Sequence, residues 1–164
     1  MTEEKTVRVI RGQVDLRTAL ENAGSIAAGM PVLAERSVLY PYRAFRARCA
    51  VPTIAGAKTV SLTCLVDAIN DCAATADQYE TDAMPASGET RLSPKITERV
   101  AERTAWRTLT YGLGRKFRMI AAFGVRLEPA GTVYKRFWIL KVGGERIMAD
   151  SVTGCMHPLR ASVA

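Results

Sequence analysis

Two short stretches carry the residue types that could do chemistry. Leu65 to Cys72 and Met148 to Cys155 lie 83 positions apart, and each reaches an aspartate, passes through turn formers and ends on a cysteine. Asp67 and Asp150 could serve as paired carboxylates in acid–base chemistry. An aspartate that starts a turn normally accepts hydrogen bonds from its own backbone, however. We therefore favour the structural interpretation of both residues.

Cysteine and histidine chemistry is the second option. Cys155 and His157, with Cys72 as the counterpart of Cys155, would be the zinc ligands, but the close CxxC pairs typical of zinc sites are absent. A Cys–His nucleophilic pair two residues apart on a strand would point outward in parallel. The sequence has no GxGxxG, P-loop or HExxH motif. It therefore predicts no metal and no cofactor, and it favours a non-catalytic protein while leaving catalysis open.

The 83-residue repeat also suggests how the chain is built. Continued backwards, it pairs Tyr40, Tyr42 and Ala44 with Phe123, Val125 and Leu127. A helical pattern precedes each strand region. The sequence thus predicts an α+β fold of two related helix–strand–strand halves, with the helices packed on antiparallel sheet. The halves span approximately 13–75 and 93–160 of a single domain, 1–164, and a polar linker, 76–92, joins them.

Each half has one predicted helix. Asp15 opens the first, and Gly29 with Pro31 ends it. Apolar residues at spacings of three and four form one buried stripe on this helix: Leu16, Ala19, Leu20, Ala23, Ile26 and Ala27. The second helix begins at Pro94, with Ser93 as its N-cap, and ends near Leu113.

The strongest strand signal is a hairpin. Thr132 to Val142 and Glu145 to Asp150 flank Gly143-Gly144, which supplies the positive φ of a two-residue turn. Phe137 to Leu140 is apolar on both faces of its strand. One face can meet a helix, but the other needs cover from the matching half, a second copy, a ligand or a partner.

Aromatic and cationic residues alternate on the predicted strand Val38 to Cys49. Together with two residues of the hairpin they form the candidate ligand- or partner-binding set: Tyr40, Tyr42, Arg43, Phe45, Arg136 and Trp138. Bases stack on rings while cations hold phosphates, so such a surface could bind single-stranded nucleic acid weakly and without sequence preference. Arginines lying over a half-buried strand explain the same residues, and this second interpretation is favoured.

A basic patch follows the second helix. Its members recur at about four-residue spacing and continue past the helix end: Lys95, Arg99, Arg103, Arg107, Arg115 and Lys116. Glu98 and Glu102 partly neutralise it, so a solvated helix face is favoured over a binding surface. The net charge of +7 makes acidic partners easier to approach without selecting among them.

The 164 residues, 48% of them hydrophobic, suffice for a real core. No apolar run approaches the ~20 residues that span a bilayer, and the N-terminus lacks the apolar segment of a secretory signal. We expect a cytoplasmic protein with no membrane contact, whose four cysteines are reduced thiols.

The predicted order of a helix, a strand and a strand ending in an Asp turn resembles PepSY-like and cystatin-like α+β modules. Asp150 to Gly154 matches the closing turn of that pattern, whereas the first copy has Asn70-Asp71 in place of Thr-Gly. The resemblance implies binding or inhibition. The predicted function is a non-catalytic binding or accessory module for another protein or for itself, with a homodimer expected. The alternatives are a small-ligand-binding protein or small enzyme using a cleft between sheet and helices, and a weak, sequence-tolerant nucleic-acid binder.

Overall fold

The computed structural model describes residues 6–87, 89–117 and 124–159, and strands dominate them. Strands account for 53% of the described residues and two helices for 21%. The predicted α+β fold of two helix–strand–strand halves is therefore wrong. The prediction failed because β2 and β7, with 22 and 19 residues, exceed the 3–10 residues that strands usually have. In order, the elements are β1 (Thr6–Ile10), α1 (Leu16–Ile26), β2 (Val32–Thr53), β3 (Gly56–Asp67), β4 (Ala73–Ala76), β5 (Thr81–Pro85), β6 (Thr90–Arg91), α2 (Glu98–Phe117), β7 (Gly124–Val142), β8 (Glu145–Asp150) and β9 (Met156–Pro158).

The chain divides into two compact units. The first unit comprises Met1–Tyr40, Glu80–Leu92 and Tyr134–Ala164, and the second comprises Pro41–Tyr79 and Ser93–Val133. Both β2 and β7 contribute residues to each unit. The segment expected to be a linker, 76–92, contains β5 and β6.

In the first unit, antiparallel pairing joins β1 to β5, β7 to β8 and β8 to β9. A parallel bridge from Val9 to Tyr134 adds β1 to β7. Helix α1 places Ala19 and Ala23 in a buried cluster with Leu140 and Ala149. Because both helical residues are alanines, the helix backbone can lie close to the strands.

The predicted first helix is confirmed at both ends. Asp15 Oδ1 accepts a hydrogen bond from the Thr18 N–H at 2.8 Å, and Gly29 takes a left-handed φ of 86° after the last turn. The predicted buried stripe is wrong at one position, because Ile26 is 74% exposed. Ile26 lies about 100° round the helix from buried Ala27, at the edge of the face that packs on the strands.

In the second unit, β2 and β3 form a long antiparallel hairpin from Tyr42–Asp67 to Thr53–Gly56, and β4 pairs with β3. Alternate residues of β2 meet every fourth residue of α2, as the periods of strand and helix require. The buried core of this unit consists of Phe45, Ala47, Cys49, Val51, Cys64, Val66, Ala101, Ala105, Leu109 and Leu113.

Helix α2 starts later than the sequence predicts. Thr97 Oγ1 accepts from the Val100 N–H at 3.3 Å, so the predicted start at Pro94 is wrong. The N–H of Ile96 donates to the Ala68 carbonyl at 3.1 Å, which ties the segment before the helix to the first aspartate turn. In the described part of the chain, neither helix has the length and apolar composition to cross a membrane.

The predicted β7–β8 hairpin is confirmed, with Val142 opposite Glu145 and φ of 58° at Gly143. Asp150 lies opposite Phe137, and Asp67 lies opposite Tyr42. The predicted backward match at the 83-residue offset, Tyr42 with Val125, is therefore wrong. The β2–β3 hairpin has twelve paired positions and the β7–β8 hairpin has six. The residue of β7 that corresponds to Tyr42 is therefore Phe137, and the 83-residue offset does not apply to β2 and β7. Phe123 lies outside the described residues.

Candidate functional site

The two aspartate turns share one hydrogen-bonding pattern. In each, the aspartate Oδ1 accepts from the N–H groups two and three residues later, at 2.8–3.3 Å. The aspartate N–H donates to the carbonyl of the cysteine five residues later, at 2.7 Å for Asp67 and 2.9 Å for Asp150. The residue four positions on has a left-handed φ, 58° at Asp71 and 73° at Gly154. The repeat is therefore real at the turns, and the carboxylates organise the backbone.

Each turn also positions the start of its unit's helix. The carbonyl of Ala68 accepts from the Ile96 N–H in the second unit, and the carbonyl of Ser151 accepts from the Val14 N–H at 2.9 Å in the first. Ile96 and Val14 each precede the residue that caps the helix. The turn therefore fixes where the helix N-terminus lies in each unit.

A side chain from the hairpin completes this junction. In the first unit, Trp138 Nε1 donates to the Val14 carbonyl at 3.1 Å. In the second, Arg43 Nη2 donates to the Ile96 carbonyl at 3.4 Å. An indole and a guanidinium thus make the same contact at corresponding positions, so the junction requires a donor and not one residue type.

The first unit adds a buried ion pair to its turn. Lys135 Nζ lies 2.5 Å from Asp150 Oδ2, and their side chains are only 19% and 8% exposed. Burial raises the pKa of Asp150, but the hydrogen bonds from Lys135 and from the turn outweigh it and hold that pKa below its ordinary value. Lys135 also lies 5.5 Å from the centroid of the Phe137 ring. Asp150 is therefore ionised, and both of its carboxylate oxygens make structural contacts.

The candidate ligand-binding residues are divided between the units. Tyr40, Arg136 and Trp138 belong to the first, and Tyr42, Arg43 and Phe45 to the second. In the first unit Arg136 lies 5.3 Å from the Trp138 ring centroid, and Tyr40 packs edge-on to Phe137. In the second, Phe45 is 1% exposed and belongs to the core, while Tyr42 opposes Asp67 in the hairpin.

Arg136 and Trp138 line a polar cleft of about 580 Å³ in the first unit, beside the N-terminal turn of α1. Arg11, which also lines it, pairs with Asp82 at 2.7 Å and with Glu80. Arg136 pairs with Glu89 at 2.5 Å. Because these arginines already have carboxylate partners, the cleft offers an incoming anion little uncompensated charge.

The residues considered as zinc ligands do not form a cluster in either unit. Cys155 and His157 are exposed in the first unit, and Cys72 is exposed in the second. Within the described ranges, no group of three or more His, Cys, Asp or Glu side chains could hold a metal ion.

An apolar groove opens in the first unit, and we call it the first-unit groove. It has a volume of about 390 Å³ and lies between the C-terminal half of α1 with its following loop and the strands β8 and β9. Ile26, Met30, Ile147 and Met156 contribute to its walls. Ile26 is 74% exposed and Met30 51%. Large apolar side chains are therefore in contact with solvent along one edge of a concave surface.

The second unit has a groove in the corresponding place, the second-unit groove. It measures about 450 Å³ and lies between the C-terminal half of α2 and the β2–β3 hairpin. Its floor and rim include Val51, Val60, Leu62, Gly112 and Leu113, with Lys58 and Lys116. The two grooves thus occupy corresponding places in their own units, but their charged lining residues differ.

The predicted basic patch lies on and just before α2, and all six of its residues are exposed. Trp106 stands beside Arg99 and Arg103, where these residues border a depression of about 420 Å³. Trp106 is 50% exposed. The patch therefore includes an exposed aromatic side chain beside its cations.

Sequence reasoning did not identify Ile26 and Met30 as surface residues. Ile26 fits the apolar period of α1, and that period predicts burial for the whole stripe. Met30 follows the left-handed residue Gly29, where no period applies. The sequence did contain an indication. Ala19, Ala23 and Ala27, four residues apart, already form a complete buried line along the helix, so Ile26 beside that line could have been expected at its edge.

Comparison with known protein families, curated proteins and solved structures finds no match for this chain. The carboxylates of the two turns accept hydrogen bonds from backbone N–H groups, and the arginines of the polar cleft are paired with carboxylates. Among the described residues, the two apolar grooves are concave surfaces lined mainly by apolar side chains.

Proposed function

We propose that the protein is a non-catalytic binding or accessory module that associates with another protein through the first-unit groove, in the cytoplasm. The observation that carries this proposal is the exposure of Ile26 and Met30, 74% and 51%, on the edge of an apolar groove. Monomeric proteins rarely leave contiguous apolar surface open unless it binds something. The groove also falls in the size range of known binding pockets, about 300–1,000 Å³.

The magnitudes indicate what kind of partner is needed. Fully burying one Ile or Met side chain contributes about 1.5–3 kcal/mol, so the two together supply about 3–6 kcal/mol. Association costs about 4–15 kcal/mol of translational and rotational freedom. Ile26 and Met30 alone therefore do not hold a partner, and the complex must extend over neighbouring surface. Leu33, 63% exposed in the same unit, is available for such an extension.

A second copy of the chain is one such partner. The apolar run Phe137 to Leu140 suggested a homodimer through Trp138, but the Trp138 indole is half-buried and donates to the Val14 carbonyl. The first-unit groove is a better-supported surface for self-association.

A peptide selection tests the proposal. Random peptides displayed on phage are selected on the immobilised protein and then assayed on Ile26→Lys, with Ile54→Lys as the matched control. Ile54 is fully exposed in the second unit, so both substitutions place the same charge on an exposed isoleucine. We expect peptides with several large apolar residues to lose at least about tenfold in affinity on Ile26→Lys alone, or about 1.4 kcal/mol.

Sedimentation velocity of the same three proteins tests the self-association form. A dimer that dissociates only in Ile26→Lys supports it. A selection that yields no peptide weakened by Ile26→Lys would contradict binding of another protein at this groove, and a dimer that persists in Ile26→Lys would contradict the self-association form. Substitutions at such exposed positions are expected to change stability by no more than about 0.5 kcal/mol, which urea unfolding verifies.

A further inference from the structure

We propose that the second-unit groove binds a short acidic amphipathic segment of a partner protein. Apolar side chains of the segment enter the groove, and its carboxylates lie against the lysines at the rim. The inference concerns a different unit from the proposed function and rests on separate residues.

The floor of the second-unit groove is aliphatic. Val51 and Leu113 are buried, Val60 and Leu62 are half-buried, and the groove has a volume of about 450 Å³. At Gly112 on α2, an added Cβ would meet nothing within 4 Å. The groove is therefore open beside the helix, where an incoming side chain can lie against the backbone.

The charge of this groove selects an acidic occupant. Its lining contains Lys58 and Lys116 and, among the described residues, no Asp or Glu. Helix α2, which forms one wall, carries five cations against Glu98 and Glu102. The first-unit groove differs, because Glu145 and His157 line it. Charge complementarity of this kind determines which partner approaches and in which orientation.

An amphipathic segment fits this surface better than nucleic acid does. Nucleic-acid platforms without sequence preference combine cations with aromatic side chains on which bases stack. The described lining of the second-unit groove contains aliphatic side chains, threonines and lysines but no aromatic residue. Peptide helices that lie in apolar grooves present anchors at i, i+3 or i+4 and i+7, which such a floor accommodates.

Fluorescence anisotropy with designed peptides tests the inference. The probe is a labelled helical peptide with leucines at that spacing and glutamates elsewhere, and its matched partner has glutamine at every glutamate position. We expect the glutamate peptide to bind at least about tenfold more tightly than the glutamine peptide at low salt. The difference should shrink as the ionic strength rises toward about 1 M, where screening acts over about 3 Å.

Variants of the protein locate the site. Gly112→Phe fills the groove and should abolish binding of both peptides, whereas Gly112→Ala keeps it open and should bind like the parent protein. Lys58→Glu with Lys116→Glu should weaken only the glutamate peptide, by about tenfold or more. Both lysines are exposed, so this second variant tests the site even if Gly112→Phe does not fold.

Four results would overturn the inference. They are the absence of measurable binding of the glutamate peptide, equal binding of the two peptides, full binding to Gly112→Phe, and displacement by an oligonucleotide that itself binds Gly112→Phe normally. The last result would assign the basic patch to nucleic acid. Ile26→Lys should bind the glutamate peptide normally, which separates a failure here from a failure of the first-unit groove.

Discussion

The two units build the same aspartate turn with different supporting residues. In the first, Asp150 is buried and paired with Lys135, and Trp138 donates to the carbonyl before the helix. In the second, Asp67 is half-buried, and Arg43 makes the equivalent donation. The backbone pattern therefore imposes a small set of requirements: an acceptor at the turn, a left-handed residue four positions on, and a donor from the hairpin.

The helices differ more than the turns. Helix α1 carries one arginine and one glutamate, which pair with each other, whereas α2 carries five cations and two acids. Each helix closes one side of an apolar groove. The units thus share a scaffold and present surfaces of different charge.

The largest expected effect is the difference in thiol reactivity between the exposed cysteines of the turns and the buried cysteines of the second unit. Cys72 and Cys155 are exposed at the ends of the two turns, while Cys49 and Cys64 are buried in the core of the second unit. Burial raises the pKa of both core thiols, that of Cys64 to about 11. We expect a thiol reagent to label two cysteines at once and the other two at least about a thousandfold more slowly, by unfolding. Mass spectrometry with each cysteine replaced by serine assigns the sites; fast labelling of Cys64 would show that the core is open.

Removing the turn carboxylate should cost more in the first unit. Asp150→Ala leaves Lys135 without its buried partner, and we expect a loss of about 3–5 kcal/mol in the free energy of unfolding. Asp67→Ala removes hydrogen bonds at a half-buried site and should cost about 1–2 kcal/mol. Urea unfolding measures both. Adding Lys135→Met to Asp150→Ala should recover part of the loss, and equal losses in the two units would refute the asymmetry.

The ion pair between Asp150 and Lys135 makes the free energy of unfolding depend on pH. The pKa of Asp150 is lower in the folded protein than the ordinary value of 3.8. Its stabilisation is therefore fully present above that value and is lost as the pH falls through the folded pKa. The difference in stability between the parent protein and Asp150→Asn should shrink in acid, and a difference that stays constant below pH 3.8 would contradict this assignment.

The two tryptophans should differ in their contribution to stability. Trp138 is half-buried and hydrogen-bonded to Val14, so Trp138→Ala should cost about 3 kcal/mol. Trp106 is 50% exposed, and Trp106→Ala should change stability by no more than about 0.5 kcal/mol. Urea unfolding and sedimentation separate the outcomes. A stable, folded monomer from Trp138→Ala, in place of a parent dimer, would make Trp138 an interface residue.

Replacing Ser151 by the residue type found at the corresponding position of the other turn should stabilise the protein. Ser151 is buried, and within the described structure its Oγ has no hydrogen-bond partner. The residue at the corresponding position of the second turn is Ala68. Because a buried unsatisfied hydroxyl is costly, Ser151→Ala should stabilise the protein by about 1 kcal/mol. A thermal melt tests this, and a destabilised variant would imply that the hydroxyl has a partner such as water or a ligand.

The smallest effect is expected at the left-handed position. Asp71→Gly relieves a positive φ but removes the hydrogen bond that the Thr104 hydroxyl donates to Asp71 at 2.8 Å. These terms nearly cancel, so the net change should be within about 0.5 kcal/mol. In a Thr104→Val background the same change should stabilise by about 1 kcal/mol. A double-mutant cycle without coupling would show that the bond contributes nothing.

Local chemistry was readable from the sequence wherever a few neighbouring residues decide the conformation. The Asp15 cap, the Gly143-Gly144 turn and both aspartate turns were recognisable because their hydrogen bonds lie within five residues of each aspartate or within one tight turn. The sequence identified the aromatic and cationic residues of the candidate binding set, but it did not predict which of them are buried and which are exposed. Phe45 became core and Arg43 a structural donor because long-range strand pairing decides which face is covered.

The sequence by itself determined the turns, the first helix and the overall positive charge, all of which depend on residue identity or on spacing along the chain. Only the tertiary structure decided that β2 and β7 run through both units, that α2 starts at Glu98, and that Ile26 remains exposed. The physical reason is the same in each case. Hydrogen bonds and packing between residues far apart in sequence outweigh local preferences: the segment before α2 is tied to the Ala68 carbonyl, and Ile26 stays exposed beside buried Ala27.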